Sequence, residues 1–242
     1  MKIKSMYVKE FIVSCKNTVR PGVFISPTHA SCGLELASML QRLLILIVCC
    51  FFSCASAAAE PTVLVLGDSI SAGYGIPVER GWVALLQERL SHEGYRYHVV
   101  NASISGDTSR GAAARLGPLL EDVHPQVAVV ELGGNDGLRG LALDEIEKNL
   151  GTIIERLKKH NACVLLIPMQ LPPNYGPVYN SRFQEMYQRL GASYNIRVGK
   201  FILQGIGDRP ELMQSDGIHP IAAAQEAMLD NIWPDLQEML EN

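Results

Sequence analysis

The chain has 242 residues, 48% of them hydrophobic, and a formal net charge of −4. That is enough apolar material for a sizeable core and, beyond the N-terminal stretch, for one domain. Residues 60–242 carry 15 Lys/Arg against 23 Asp/Glu, a net of −8, which argues against the basic stripe of a nucleic-acid binder.

Residues 1–59 are predicted to be an N-terminal extension and signal peptide. Arg42 precedes an apolar run from Leu43 to Phe52, and small residues follow up to Ala59, the pattern of a cleavable secretory signal. Met39 opens a compact signal by itself, so it is the expected true start, with cleavage after Ala59 and a periplasmic or secreted product. Two readings compete. A retained anchor would need a longer run than these ten residues, so no stable span is expected in the mature form. Lipid attachment at Cys54 would place Phe51 and Phe52 where small or aliphatic residues are expected. Five of the six cysteines lie in this segment. Cys163 remains, in a strand-like run, and is expected to be a small core residue that forms no internal disulfide.

From Glu60 onward, strands alternate with helices. Thr62–Leu66, Tyr97–Asn101, Val127–Glu131 and Ala162–Ile167 are short apolar runs, rich in β-branched residues and predicted to be buried parallel strands. Ile196–Val198 is a candidate fifth. Trp82, Leu85, Leu86 and Leu90 recur at helical spacing, as do Leu143, Ile146, Leu150, Ile153, Ile154 and Leu157, and then Phe183, Met186, Tyr187 and Leu190. Asp144 with Glu147 has the spacing of a capping box and is expected to start one helix. A closing helix over 222–240 is expected to be interrupted near Pro234. The alternation predicts an α/β fold, a three-layer α/β/α sandwich with right-handed crossovers.

Four short strings fall in the loops of this scaffold. Ser69 in Gly67-Asp68-Ser69 follows the first strand, Gly106 the second and Asn135 in Gly133-Gly134-Asn135-Asp136 the third. Asp216 and His219 precede the last helix, where Pro220 is expected to preset its start. Ligands bind open α/β sheets at the carboxyl ends of strands. Together the strings hold what acyl transfer needs: a hydroxyl nucleophile, a base, a carboxylate to orient it and oxyanion donors. Each residue also has a plainer reading. Ser69 serves equally as a helix N-cap, Gly106 as a positive-φ turn, Asn135 as a turn residue and His219 as a solvated or satisfied histidine. Their joint occurrence, in order and at strand ends, favours the chemical reading. His92, His98, His124 and His160 have no such company and are taken as structural or solvated. No zinc or calcium motif, phosphate loop or dinucleotide fingerprint occurs, so no metal or cofactor is expected.

The strings do not form the Gly-x-Ser-x-Gly elbow of α/β-hydrolases, because Ser71 stands where the second glycine belongs. They resemble the SGNH (GDSL) hydrolases, matched by Ser69, Gly106, Asn135 and His219. The longer strings around them, among them 67–75, 101–109, 131–140 and 216–220, are similar to the bacterial periplasmic thioesterase I/protease I/lysophospholipase group, also known as arylesterases. The resemblance covers about residues 62–240, with Ile70 where the family often has Leu. It implies a flavodoxin-like domain over 60–242 with a mainly five-stranded parallel sheet. It implies Ser69, Asp216 and His219 as catalytic residues, and an oxyanion hole formed by the Ser69 and Gly106 N–H groups with the Asn135 amide.

The implied activity is hydrolysis of fatty acyl esters and thioesters, including aryl esters, lysophospholipids and acyl-CoA, with a small-molecule acyl substrate as partner. A carbohydrate O-acetyl esterase and a non-catalytic secreted binding module remain as alternatives. Leu138, Leu141, Pro173 and Tyr175 are candidates to wall an acyl groove, with loop packing as the plainer reading.

Overall fold

Five strands of mainly β-branched and aliphatic residues pair in parallel to form the centre of the protein. The computed structural model describes residues 60–241, together with Gln41; the expected signal segment, Met39, Cys54 and the cleavage point lie outside the described residues. In chain order the main elements are β1 (Thr62–Gly67), α1 (Ser69–Ala72), α2 (Trp82–His92), β2 (His98–Asn101), α3 (Ser109–Val123), β3 (Val127–Glu131), α4 (Gly134–Leu138), α5 (Leu143–Lys159), β4 (Cys163–Ile167), α6 (Pro177–Tyr194), β5 (Arg197–Val198) and α7 (Gln225–Leu240). The sheet order is β2-β1-β3-β4-β5, all parallel. Helices α2 and α7 pack together, while α3, α5 and α6 pack in sequence through α5, giving the three layers expected from the sequence.

Burial follows the apolar spacing. Every side chain from Val63 to Leu66 and from Val127 to Val130 is buried, as central strands covered on both faces require. The predicted stripe of α5, from Leu143 to Leu157, is buried, as are Phe183, Met186, Tyr187 and Leu190 of α6. Each buried aliphatic side chain contributes roughly 1.5–3 kcal/mol through removal of its surface from water.

Several local expectations are corrected. Strand β2 is half exposed because it is an edge strand, paired only with β1. Cys163 is exposed and not in the core, because it is the entry residue of β4, where the pattern turns buried only from Val164. Helix α5 is capped by Ala142 without a side-chain bond. Asp144 therefore lies inside the first turn, where it complements the helix dipole, and Glu147 pairs with Arg189 of α6 at 2.7 Å. Helix α7 runs through Pro234 unbroken. Its solvent face tolerates the ring, since the carbonyl four residues back belongs to exposed Asp230 and can meet water. Helix α3 was not legible in the sequence. Its core stripe is only Ala112, Leu116 and Leu120, diluted by Gly111, Gly117 and Pro118. Among the described residues, no helix is long and apolar enough to cross a membrane.

Candidate active site

The strand order reverses direction between β1 and β3, which opens a crevice at their carboxyl ends. Ser69 follows β1 and Asn135 follows β3, so both are delivered to that crevice. Asp68, not Ser69, caps α1: its carboxylate accepts from the Ile70 N–H at 3.1 Å. Ser69 is left as the first helical residue with its hydroxyl free to face outward. Gly106 has a φ of 79°, a left-handed conformation that a β-carbon would strain. Gly133 has a φ of 105°, and a β-carbon there would also run into the Tyr187 hydroxyl. That hydroxyl donates to the Leu132 carbonyl at 2.9 Å and so fixes the turn into α4.

The loop that brings in the histidine is irregular but closely tied. Met213 and Pro220 form an isolated antiparallel bridge, and the Gln214 N–H donates to the His219 carbonyl at 2.7 Å. Pro220 thus closes this loop and does not start the last helix as expected; α7 begins only at Gln225, after a 3-10 turn. The Gln214 side chain donates to the Tyr74 carbonyl at 2.7 Å and to the Pro220 carbonyl at 3.1 Å. It clamps the histidine loop to the segment after α1, a role that no local sequence signal announced. The Tyr74 ring lies against the imidazole, with centroids 4.5 Å apart.

Within this frame Ser69, His219 and Asp216 form one hydrogen-bond chain. His219 Nε2 lies 2.8 Å from Ser69 Oγ, and His219 Nδ1 lies 2.7 Å from Asp216 Oδ2. The other Asp216 oxygen accepts from the Ile218 and His219 N–H groups at 2.9 and 3.0 Å. The His219 N–H, then the imidazole and the Ile218 N–H, hold the Asp216 carboxyl down at about 2. It is a fixed anion on the far side of the imidazole from Ser69.

Gly106 and Asn135 meet Ser69 and His219 around one cleft of about 910 Å³. The loops that carry Gly106 and Asn135 are braced together. Arg139 donates to the Gly106 carbonyl at 3.1 Å, and buried Asp136 accepts from the N–H and hydroxyl of Ser109 at 2.9 and 2.6 Å. Of the expected groove residues, Leu138 and Pro173 line the cleft. Leu141 instead packs against the core, and the Tyr175 hydroxyl turns away to donate to the Leu138 carbonyl at 2.6 Å. Ile70, Met169, Leu171, Phe201, Leu203 and Met213 add to the apolar lining. Phe201, Leu203 and Met213 lie in an irregular stretch that offers no periodicity to read. The other four described histidines are exposed.

Known proteins resemble this chain along nearly all of its described length. Residues 65–227 match the GDSL-like Lipase/Acylhydrolase family. Esterase TesA of Pseudomonas aeruginosa is 51% identical over 76% of this chain and 91% of its own length. The Escherichia coli K12 protein named thioesterase 1/protease 1/lysophospholipase L1 is 41% identical over 77% of this chain and 88% of its own. The crystal structure of the psychrotrophic esterase EstA from Pseudoalteromonas sp. superposes with a TM-score of 0.73 at 38% identity, covering 76% of this chain and all of that one.

Proposed function

The chain belongs to the GDSL-like lipase/acylhydrolase family and is an ester hydrolase, and from that premise we propose that Ser69, His219 and Asp216 carry its chemistry. It acts on carboxylic esters and thioesters of small-molecule substrates. The observation that supports this residue assignment is the unbroken chain from Ser69 Oγ through the imidazole to Asp216, opening onto an apolar cleft.

On this reading Ser69 Oγ attacks the acyl carbonyl while His219 Nε2 takes its proton, and Asp216 stabilises the resulting imidazolium through Nδ1–H. The carbonyl oxygen becomes an oxyanion, met by the Ser69 and Gly106 N–H groups and the Asn135 amide. Collapse breaks the bond to the alcohol or thiol, which leaves with the proton from His219, and Ser69 keeps the acyl group. Water, deprotonated by His219, then attacks the acyl-enzyme; the acyl C–Oγ bond breaks, the acid leaves, and His219 returns the proton to Ser69 Oγ. The apolar lining supports fatty acyl and aryl esters, lysophospholipids included, as substrates. Residues 60–242 are the catalytic domain, exported to the periplasm after removal of the signal ending at Ala59.

A fluorophosphonate probe together with a chain-length series of p-nitrophenyl esters tests this. Labelling at Ser69 and faster turnover of longer acyl chains than of acetylated sugars are expected. Labelling that persists in Ser69→Ala, or activity confined to acetylated sugars, overturns the nucleophile or the substrate class respectively. The mass of the exported protein tests the processing: a mature N-terminus at Glu60 is expected, and retained upstream residues overturn it.

A further inference from the structure

Two carboxyl groups sit behind Ser69 with no step assigned to them. Asp68 is 2% exposed and Glu131 is fully buried. They are neighbours because β1 and β3 pair with Gly67 opposite Glu131. Their surroundings differ in what they donate. Asp68 receives the Ile70 N–H on one oxygen at 3.1 Å and the Asn135 amide on the other at 3.0 Å. Glu131 receives the Ser71 hydroxyl at 2.6 Å and a long approach from the Asp68 N–H at 3.5 Å, both on the same oxygen. Its second oxygen meets no donor among the described residues. Two adjacent carboxylates in a dry site cannot both ionise, and an unpaired buried charge costs several kcal/mol. Glu131 is the fully buried member with one oxygen unmet, so burial, then the neighbouring Asp68 charge, puts the proton on Glu131 and leaves the negative charge on Asp68, each of whose oxygens receives a donor.

We propose that Asp68 is a positioning residue for the oxyanion donor: as the anion of this pair, with Glu131 held neutral behind it, it fixes the Asn135 amide with one N–H and leaves the other aimed into the cleft. The inference rests on the assignment of Ser69 and Asn135 made above. A carboxylate oxygen accepts an N–H but repels an amide oxygen, so it also sets which way round the amide sits. The donor is then in place before charge develops on the substrate, which is what gives such groups their leverage. Asparagine at position 68 cannot do this. It has one acceptor oxygen for two donors, and if that oxygen caps Ile70, its own amide faces the amide of Asn135. Burial pushes the Asp68 carboxyl up to about 6, while the Ile70 and Asn135 donors and His219 pull it back and Asp107 adds to the rise. Its charge thus depends in part on the Asn135 amide that it positions.

The test is a double-mutant cycle on purified protein with a p-nitrophenyl ester. Asp68→Asn lowers kcat by about 10²-fold, the scale of one oxyanion donor, with KM within about twofold. In an Asn135→Ala background the same change costs less than about threefold, because there is no amide left to aim. Losses that multiply in the double variant overturn the proposal and make Asp68 a turn cap or a modulator of His219. Asp68→Ser keeps the cap but is too short to reach Asn135; it reproduces the kcat loss at wild-type thermal stability, and full activity in it overturns the proposal. Glu131→Gln, which preserves a neutral partner, stays within about twofold of wild-type kcat; a loss matching Asp68→Asn would put the charge on Glu131 and overturn the assignment. An Asn135→Ala single variant with wild-type kcat, or failure of the probe to label Ser69, would instead strike the underlying site assignment.

Discussion

Asp216 and the Asp68–Glu131 pair place the same functional group in opposite environments on the two sides of Ser69. The Asp216 side chain is 39% exposed and still sits at about 2, held down by two N–H groups and the imidazole. Asp68 also receives two good hydrogen bonds, yet burial drives it up to about 6, and burial then the Asp68 charge drive Glu131 well above the carboxylate range. Hydrogen bonds of similar number therefore give opposite outcomes, and solvent decides between them. The exposed side keeps a charge that no working pH removes, suited to orienting a base. The buried side holds one charge and one proton, suited to aiming an amide.

Removing the atom both sides converge on should cause the largest loss. Ser69→Ala is expected to lower kcat by about 10⁶-fold, the scale of losing a serine nucleophile. Its thermal stability should stay near wild type, because the hydroxyl gives up only the bond to His219. Steady-state assays with a calorimetric scan check both.

The exposed side comes next. Asp216→Asn should cut kcat by about 10⁴-fold, since the amide still accepts the loop N–H groups but presents its NH₂ to Nδ1 and favours the wrong tautomer. The acid limb of the wild-type rate profile should not carry the Asp216 titration. A carboxyl with a depressed folded-state value holds its charge until pH falls to about 2. A limb that Asp216→Glu shifts by a full unit would break the contrast between the two sides.

The buried side acts through one hydrogen bond, so its effect is smaller. Asn135→Ala should lower kcat by about 10² to 10³-fold with little change in KM. Slow acylation by the fluorophosphonate should survive, because the Ser69 and Gly106 N–H groups remain. A raised KM at unchanged kcat would make Asn135 a substrate contact and leave the buried pair without a function.

The site was legible in the sequence where it is local, and only there. Ser69, Gly106, Asn135 and His219 lie in short strings whose loops could be placed once the strands were read. Asp68 reaching Asn135 across 67 positions, and Gln214 reaching the Tyr74 carbonyl across 140, depend on strand register and loop docking, which no window of sequence contains. Asp68 could be read as a turn residue, but not as the holder of an amide from another strand end. The same limit hid α3, whose stripe of three small or branched residues gains meaning only against the sheet. It misplaced Tyr175 as well, since a loop aromatic can face a cleft or turn its hydroxyl to a neighbouring carbonyl with the same sequence.

The finest test of the two environments reads stability and not rate. Glu131 is raised in the folded protein and ordinary in the unfolded chain, so above the ordinary carboxylate value of 4.5 the unfolded state releases a proton that the folded state keeps. Wild-type stability from this group is complete below that pH and declines as pH rises toward the folded-state value. Glutamine has the same shape and no proton to lose, so Glu131→Gln removes the slope. At pH 4 the two proteins should differ by no more than the packing cost of the substitution. By pH 8 the variant should have gained on wild type by about 2–4 °C for each 1 kcal/mol of the removed penalty in a domain of this size. The change in the melting difference between pH 4 and pH 8 cancels any packing cost of the substitution, which is the same at both ends. A melting difference that stays flat from pH 4 to pH 8 would mean Glu131 ionises in the folded state at its ordinary value, and the charge would no longer belong to Asp68 alone.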